Sequence, residues 1–195
     1  MASTASSLAR LFAFLTGLVG PATLHLVILM RHVSQVLHED ERMGISWSLR
    51  PATPEDAEWM ADLKATAMRP DLERLGYWDR GWARERFLEA YVPANTYVVL
   101  VEGTEAGLIA VRTATDRAWV EHFYLAPRLQ GHGLGGNVLA HVMELHQDLR
   151  PFWLAIDHGS RARQLYEHHG FTYRHTADNG VDQLFSTDPR MEGDG

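Results

Sequence analysis

The chain has 195 residues, 46% of them hydrophobic and 22% charged, enough to bury one substantial core, so one main domain is expected. It contains no cysteine, which excludes disulfides, thiolate metal sites and a cysteine nucleophile within the chain. The formal charge of −7 lies entirely in residues 44–195, where 15 basic residues face 22 acidic ones, and this argues against nucleic acid and anionic membrane as main partners.

The first 43 residues read differently from the remainder. Residues 11–30 form an uncharged run broken by Gly17, Gly20, Pro21 and His25. The run is long enough to span a bilayer, and the Gly-Pro break and the histidine count against a span. Arg10, the apolar residues 11–19 and the small residues around 20–22 also suit a signal peptide. Leu26, Leu29, Val33, Val36 and Leu37 recur at helical spacing, as in an amphipathic helix packed on a partner or surface. The segment 1–43 is therefore read as a hydrophobic extension, either an anchor, a packing helix or a start-site artefact with the functional chain beginning near Met43. Residues 44–195 form the domain.

Within the domain, residues 45–49 read as a strand. Thr53 as N-cap, Pro54 at N1 and acids in the first turn predict a helix over 54–68. Residues 69–77 read as a loop or broken helix and 79–91 as a helix, with Tyr77, Trp78, Trp82, Phe87 and Tyr91 suiting its core. Two strands, 96–102 and 108–113, are joined across 103–107, and 118–125 is the central strand. A helix is predicted over 134–149, a short buried strand over 151–156 and a helix over 160–169 closed by Gly170. Strands 171–176 and 181–186 close the domain around Asp178-Asn179-Gly180.

Between the central strand and its following helix lies Gln130-Gly131-His132-Gly133-Leu134-Gly135-Gly136. Closely spaced glycines let backbone approach a ligand. The first N–H groups of a helix have no intrahelical partner, and the helix dipole adds positive charge there. Together these are the physics of a phosphate or pyrophosphate site.

Gln130, Gly133 and Gly135 fit the Gln/Arg-x-x-Gly-x-Gly/Ala signature of the GCN5-related N-acetyltransferase (GNAT) superfamily. Ala162-Arg163-Gln164-Leu165-Tyr166-Glu167-His168-His169-Gly170-Phe171 fits its Ala-x-x-Leu-Tyr-Glu-x-x-Gly-Phe segment. The chain resembles that superfamily over roughly residues 45–187, and Leu49-Arg50-Pro51-Ala52-Thr53-Pro54-Glu55-Asp56 looks like its passage from first strand to first helix. The resemblance implies an α/β (α+β) fold, a mixed, mostly antiparallel sheet splayed at the central strands and flanked by helices. It also implies acetyl-CoA as co-substrate, with the pantetheine arm between the splayed strands, and a primary amine as acceptor.

An amine must lose a proton before it attacks a thioester, and Glu121 on the central strand is the candidate general base. Strand alternation places it on the face of Phe123 and Leu125, with His122 opposite. The resemblance places Tyr166 as the acid that protonates the leaving thiolate. Backbone N–H groups near Tyr124 and Leu125 would polarise the thioester carbonyl. Phe123, Tyr124 and Leu125, the loop residues Gln130, Gly131, His132, Gly133, Leu134, Gly135 and Gly136, and Ser160 are the expected cofactor contacts. Ser160 stands near where many members carry Asn, and caps the last helix. Tyr77 and Trp78, in the segment covering the acceptor side in this family, are the expected acceptor contacts.

Two readings compete. One is a catalytically weak acyl-CoA-binding or sensing module. The other is a dinucleotide-binding protein, since Gly131-x-Gly133-x-x-Gly136 also fits that fingerprint, with Asp157 as the ribose-binding acid. Eleven histidines include no His-x-x-x-His zinc spacing, so no metal is assigned. The expected partner is a small-molecule or peptide amine, with no nucleic acid, with membrane association through residues 11–30 an open alternative and a homodimer left open. Acetyl-CoA as a cytosolic metabolite implies the cytoplasm or its membrane face.

Overall fold

A computed structural model of the chain describes residues 38–40, 44–148 and 150–188. The run 11–30 lies outside the described residues. Among the described residues, eight strands form one sheet in the order β1-β2-β3-β4-β5-β6-β8-β7. They are β1 (His38–Asp40), β2 (Ile45–Pro51), β3 (Thr96–Val101), β4 (Thr104–Thr113), β5 (Ala118–Leu125), β6 (Phe152–Asp157), β7 (Thr172–Thr176) and β8 (Asp182–Ser186). The helices are α1 (Ala57–Leu75), α2 (Arg80–Ala90), α3 (Leu134–Leu145) and α4 (Arg163–His168). The short edge strand β1, which the sequence pattern did not announce, pairs with β2.

Every described strand pair is antiparallel except β5 and β6. That parallel pairing holds only at Ala118 with Phe152 and Trp119 with Trp153, after which the strands part. The expected mixed, splayed sheet is therefore present. A doubly wound parallel sheet, which the dinucleotide reading requires, is not.

Both faces of the sheet are covered, and the central strands are accordingly apolar on both sides. Val99, Val101, Ile109, Val120 and Leu154 pack with Leu134, Val138, Leu139 and Val142 of α3. Val98, Leu100 and Leu108 pack on the other face with Met60 and Ala61 of α1 and Phe87 of α2.

Helix α1 runs on unbroken to Leu75, through most of the segment expected to be a loop or broken helix. Pro70 removes one intrahelical N–H, yet buried Ala65 and Leu72 and half-buried Met68 pack there with Ala83 and Trp78 and hold the helix to Leu75. A Schellman motif ends it. Gly76 (φ 78°) donates to the Glu73 carbonyl and Tyr77 N–H to that of Leu72. The helix start is fixed by Asp56, which accepts a two-bond fork from Arg50 at 2.8 and 2.7 Å, the Thr53 N–H at 2.8 Å and the Trp59 indole at 3.0 Å.

The β3–β4 turn is also tighter than expected. Glu102 (φ 49°) and Gly103 (φ 74°) make the two-residue turn, and β4 begins at Thr104. Gly107 belongs to the strand because β5 passes too close for a side chain: a Cβ there would lie 2.7 Å from the Tyr124 carbonyl oxygen.

Candidate active site

Strand β5 carries a bulge. Leu108 pairs with Tyr124 and Ala110 with Glu121, so two steps on β4 face three on β5. The extra residue lies at His122, whose φ is +48°. The bulge reverses the facing expected for this strand. Phe123 and Leu125 turn to the α3 face together with Ala118 and Val120, while Tyr124 turns to the α1 face. Glu121 does not share the Phe123 face, and His122 is not opposite it. Both line one cavity of about 200 Å³ with Val92, Thr96 and Arg112.

Glu121 is held there by Arg112, whose Nε and Nη2 reach its Oε1 at 2.9 and 2.8 Å. His122 stacks edge-on against Phe87 at 5.1 Å. Burial, then the nearby charge of Lys64, pushes its pKa down to about 4, so the ring is neutral at pH 7.

Beyond Leu125 the chain makes a single 3₁₀ turn, Pro127–Leu129, and reaches the glycine loop. Gln130 folds back, donating from Nε2 to the Leu125 carbonyl at 2.8 Å. Gly131 (φ 80°) and Gly133 (φ 99°) adopt backbone that side chains disfavour. The first helical bonds are Gly136 and Asn137 N–H to the Gly133 carbonyl, at 2.9 and 3.3 Å. Among the described residues, the five N–H groups from Gly131 to Gly135 meet no acceptor, and they sit at the positive end of α3. His132 is exposed on this loop. Gly135 and Gly136 serve packing. A Cβ on Gly135 would touch Leu165, Leu125 and Phe123 at 3.6–3.9 Å, and one on Gly136 would press on His169 at 3.3 Å.

Helix α4 presents Tyr166 on the α3 side of the sheet. The expected helix over 160–169 is shorter, Arg163–His168. Ser160 therefore precedes it in a turn, with its Oγ accepting from Ala162 N–H at 3.3 Å, and does not cap it. At the other end Gly170 (φ 83°) and Phe171 donate to the Glu167 and Tyr166 carbonyls, a second Schellman motif. Its customary apolar contact is Phe171 against Tyr166, at 5.7 Å. This explains the Gly-Phe pair, which locks the tyrosine in place. Tyr166 is 6% exposed, burial raises its pKa far above the usual phenol range, and no hydrogen bond among the described residues engages its hydroxyl.

Three groups bear on one another here: Tyr124, expected as a cofactor contact, Asp157, named only for the dinucleotide reading, and Lys64, given no role from the sequence. The Tyr124 hydroxyl donates to Met68 Sδ at 3.3 Å, and its pKa is raised by burial, then by Tyr166 and Asp157. Asp157 ends β6, and burial, then Asp182 and Asp71, push its carboxyl up. Lys64 stands on α1 four residues before Met68, its pKa lowered to about 8 by burial and by Arg86, against the pull of Asp157. A lone lysine among arginines was the available signal for Lys64.

The expected acceptor residues divide. Tyr77 is 60% exposed just after Gly76. Trp78 packs beside Met68, with the Arg69 guanidinium 5.5 Å from its ring. Phe87 and Tyr91 join the core, whereas Trp82 is exposed. Among the described residues no group of three or more acids and histidines could hold a metal, and no helix is long and apolar enough to cross a membrane.

A bulged strand, a parallel pair that parts and a glycine loop lined with N–H donors thus lie side by side. Residues 93–173 match the family model described as Acetyltransferase (GNAT) domain. Solved structures agree on the fold. PaiA N-acetyltransferase from Thermoplasma acidophilum, in complex with coenzyme A, superposes with a TM-score of 0.60 at 15% identity, covering 73% of this chain and 98% of that one. The ribosomal-protein-S18-alanine N-acetyltransferase from Escherichia coli gives 0.55 at 19% identity, over 76% and 97%. N-acetylglutamate synthase from Neisseria gonorrhoeae, complexed with coenzyme A and N-acetyl-glutamate, gives 0.52 at 18% identity, over 72% and 34%. No curated protein matches the sequence.

Proposed function

We propose that residues 44–195 form an N-acetyltransferase domain that moves an acetyl group from acetyl-CoA to a primary amine by direct transfer. The observation that carries this reading is the run of five N–H groups at 131–135, which meet no acceptor among the described residues and lie beyond the strand that parts from β6. They fit a pyrophosphate, and the parted strands fit a pantetheine arm. Structural neighbours crystallised with coenzyme A support the same ligand.

Gly131, His132, Gly133, Leu134 and Gly135 would hold the pyrophosphate through main-chain donors. Gly136 contributes close packing, and Gln130 orders the loop by its bond to Leu125. Phe123, Tyr124 and Leu125 would offer the β5 edge, and Ser160 its hydroxyl, to the arm. Acetyl-CoA supplies a thioester, an acyl group activated toward an amine. N–H groups near Tyr124 and Leu125 polarise the carbonyl. Glu121, through water, accepts the proton that the amine must lose, and Tyr166 holds the proton that the departing sulfur needs. With no cysteine in the chain, no residue of that kind carries the acetyl group. Tyr77 and Trp78 would meet the acceptor, a small-molecule or peptide amine, and the cytoplasm is the compartment that supplies the donor.

The Arg112 fork on Glu121 favours one other reading, an acyl-CoA-binding module of weak activity. Free-thiol release over a panel of amines separates the two. Transfer predicts that Tyr166→Phe and Glu121→Gln each lower kcat by about 10²–10⁴-fold with acetyl-CoA binding retained. Turnover unchanged in both variants would instead establish the binding module.

A further inference from the structure

Lys64 is the only lysine of the chain. It stands on the face of α1 that looks at the bulged strand, because Met68, one turn later, receives the Tyr124 hydroxyl. Its side chain is half buried and makes no ion pair among the described residues. The charged and titratable groups that bear on it come from three elements: Arg86 on α2, Asp157 at the end of β6 and His122 at the β5 bulge. Lys64 thus shares the α1 face that meets Tyr124 of β5 and lies within electrostatic reach of Asp157 at the end of β6. An amine there stands near the ends of the two strands that part, β5 at Leu125 and β6 at Asp157.

The ammonium is also easy to deprotonate. With a pKa of about 8, roughly a tenth of it is free amine at pH 7, against well under a hundredth for an ordinary lysine. The neighbouring imidazole of His122 is neutral at the same pH.

We propose that Lys64 is itself an acetyl acceptor, modified on Nζ by acetyl-CoA seated in this chain's own site. The inference rests on the acetyl-CoA reading of the glycine loop. Nζ attacks the thioester carbonyl carbon, the N–C bond forms and the C–S bond breaks. Of the three ammonium protons one stays on the amide nitrogen, one goes to the sulfur of coenzyme A and one is released to solvent. The product is neutral, so a cation facing Asp157 is lost and the site becomes more attractive to a cationic acceptor.

The sole lysine makes the test clean. The full chain is incubated with acetyl-CoA and no amine, and the acetylated peptide is located by mass. In parallel, the rise in unfolding midpoint with acetyl-CoA reports binding. The expected result is one acetyl group on Lys64, added at least about tenfold faster than to the same chain unfolded in urea. The rate should rise with pH and level off above about 8, and excess coenzyme A should suppress it. Lys64→Arg should keep the midpoint rise and show no acetyl group in that peptide. A midpoint rise with no acetyl on Lys64, or with a rate no faster than in urea, overturns this inference and leaves the acetyl-CoA reading standing. No midpoint rise overturns both.

Discussion

At the scale of single residues, two side chains set how the domain responds to acid and to truncation. His122 is neutral and half-buried, with a pKa of about 4 against about 6.5 in an unfolded chain. Between these values the unfolded chain binds more protons, so the stability that neutral His122 contributes is complete above about pH 6.5 and is lost as pH falls toward 4. His122→Asn keeps a residue type that tolerates positive φ. It should flatten the fall in urea midpoint between pH 6.5 and 4, with half-buried His38 and His141 supplying the slope that remains. A slope equal to wild type would show that His122 does not titrate in this window. Asp56 is the other, 5% exposed and held ionised by the Arg50 fork. Asp56→Ala strands a cation and unties the start of α1. A loss of roughly 3 kcal/mol in denaturant unfolding is expected, near the low end for a broken buried pair because Arg50 retains Glu105. A loss below about 1 kcal/mol would place this pair with ordinary surface bridges.

At the scale of elements, the glycines of the loop before α3 have separable duties. Gly133→Ala must adopt φ near 99°, and that backbone strain costs about 1–2 kcal/mol. Relief of that strain turns the N–H groups of residues 131–135 away, so the midpoint rise with acetyl-CoA should shrink. Gly135→Ala meets only ordinary contacts at 3.6 Å and beyond and should keep the rise. Equal ligand responses from the two variants, measured by thermal unfolding, would contradict the division. The same loop shows why part of the site was readable from sequence. Glycine spacing, strand-to-helix order and the Gly-Phe Schellman pair are local signals, and they located Gly131, Gly133 and Tyr166 without tertiary information. The bulge at His122 carries no such mark, since no glycine or asparagine stands there and the alternation of β5 reads as regular. Its phase slip is imposed by pairing with β4, and so Glu121 and His122 came out on opposite faces when they share one. Helix α1 likewise crosses Pro70 because of what packs on it, and packing cannot be read from a breaker residue.

At the scale of the whole molecule, α1 and α2 cover one face of the sheet, α3 and α4 the other, and the gap between β5 and β6 joins the two sides. Tyr124 faces α1, Tyr166 belongs to α4, and the Tyr166 phenol adds to burial in holding Tyr124 in its neutral form. An acceptor approaching beside Lys64 and Asp157 and a donor held on the glycine loop would thus meet at β5. The acidic balance of residues 44–195 suits a cationic acceptor. The central claim is that the loop binds the pyrophosphate of acetyl-CoA. Thermal unfolding of the full chain with excess acetyl-CoA, coenzyme A or NAD tests it most directly, because a ligand bound only to the folded state raises the midpoint by mass action. The account predicts a clear rise with acetyl-CoA and coenzyme A and none with NAD. A folded chain whose midpoint moves with neither coenzyme A ligand would contradict it.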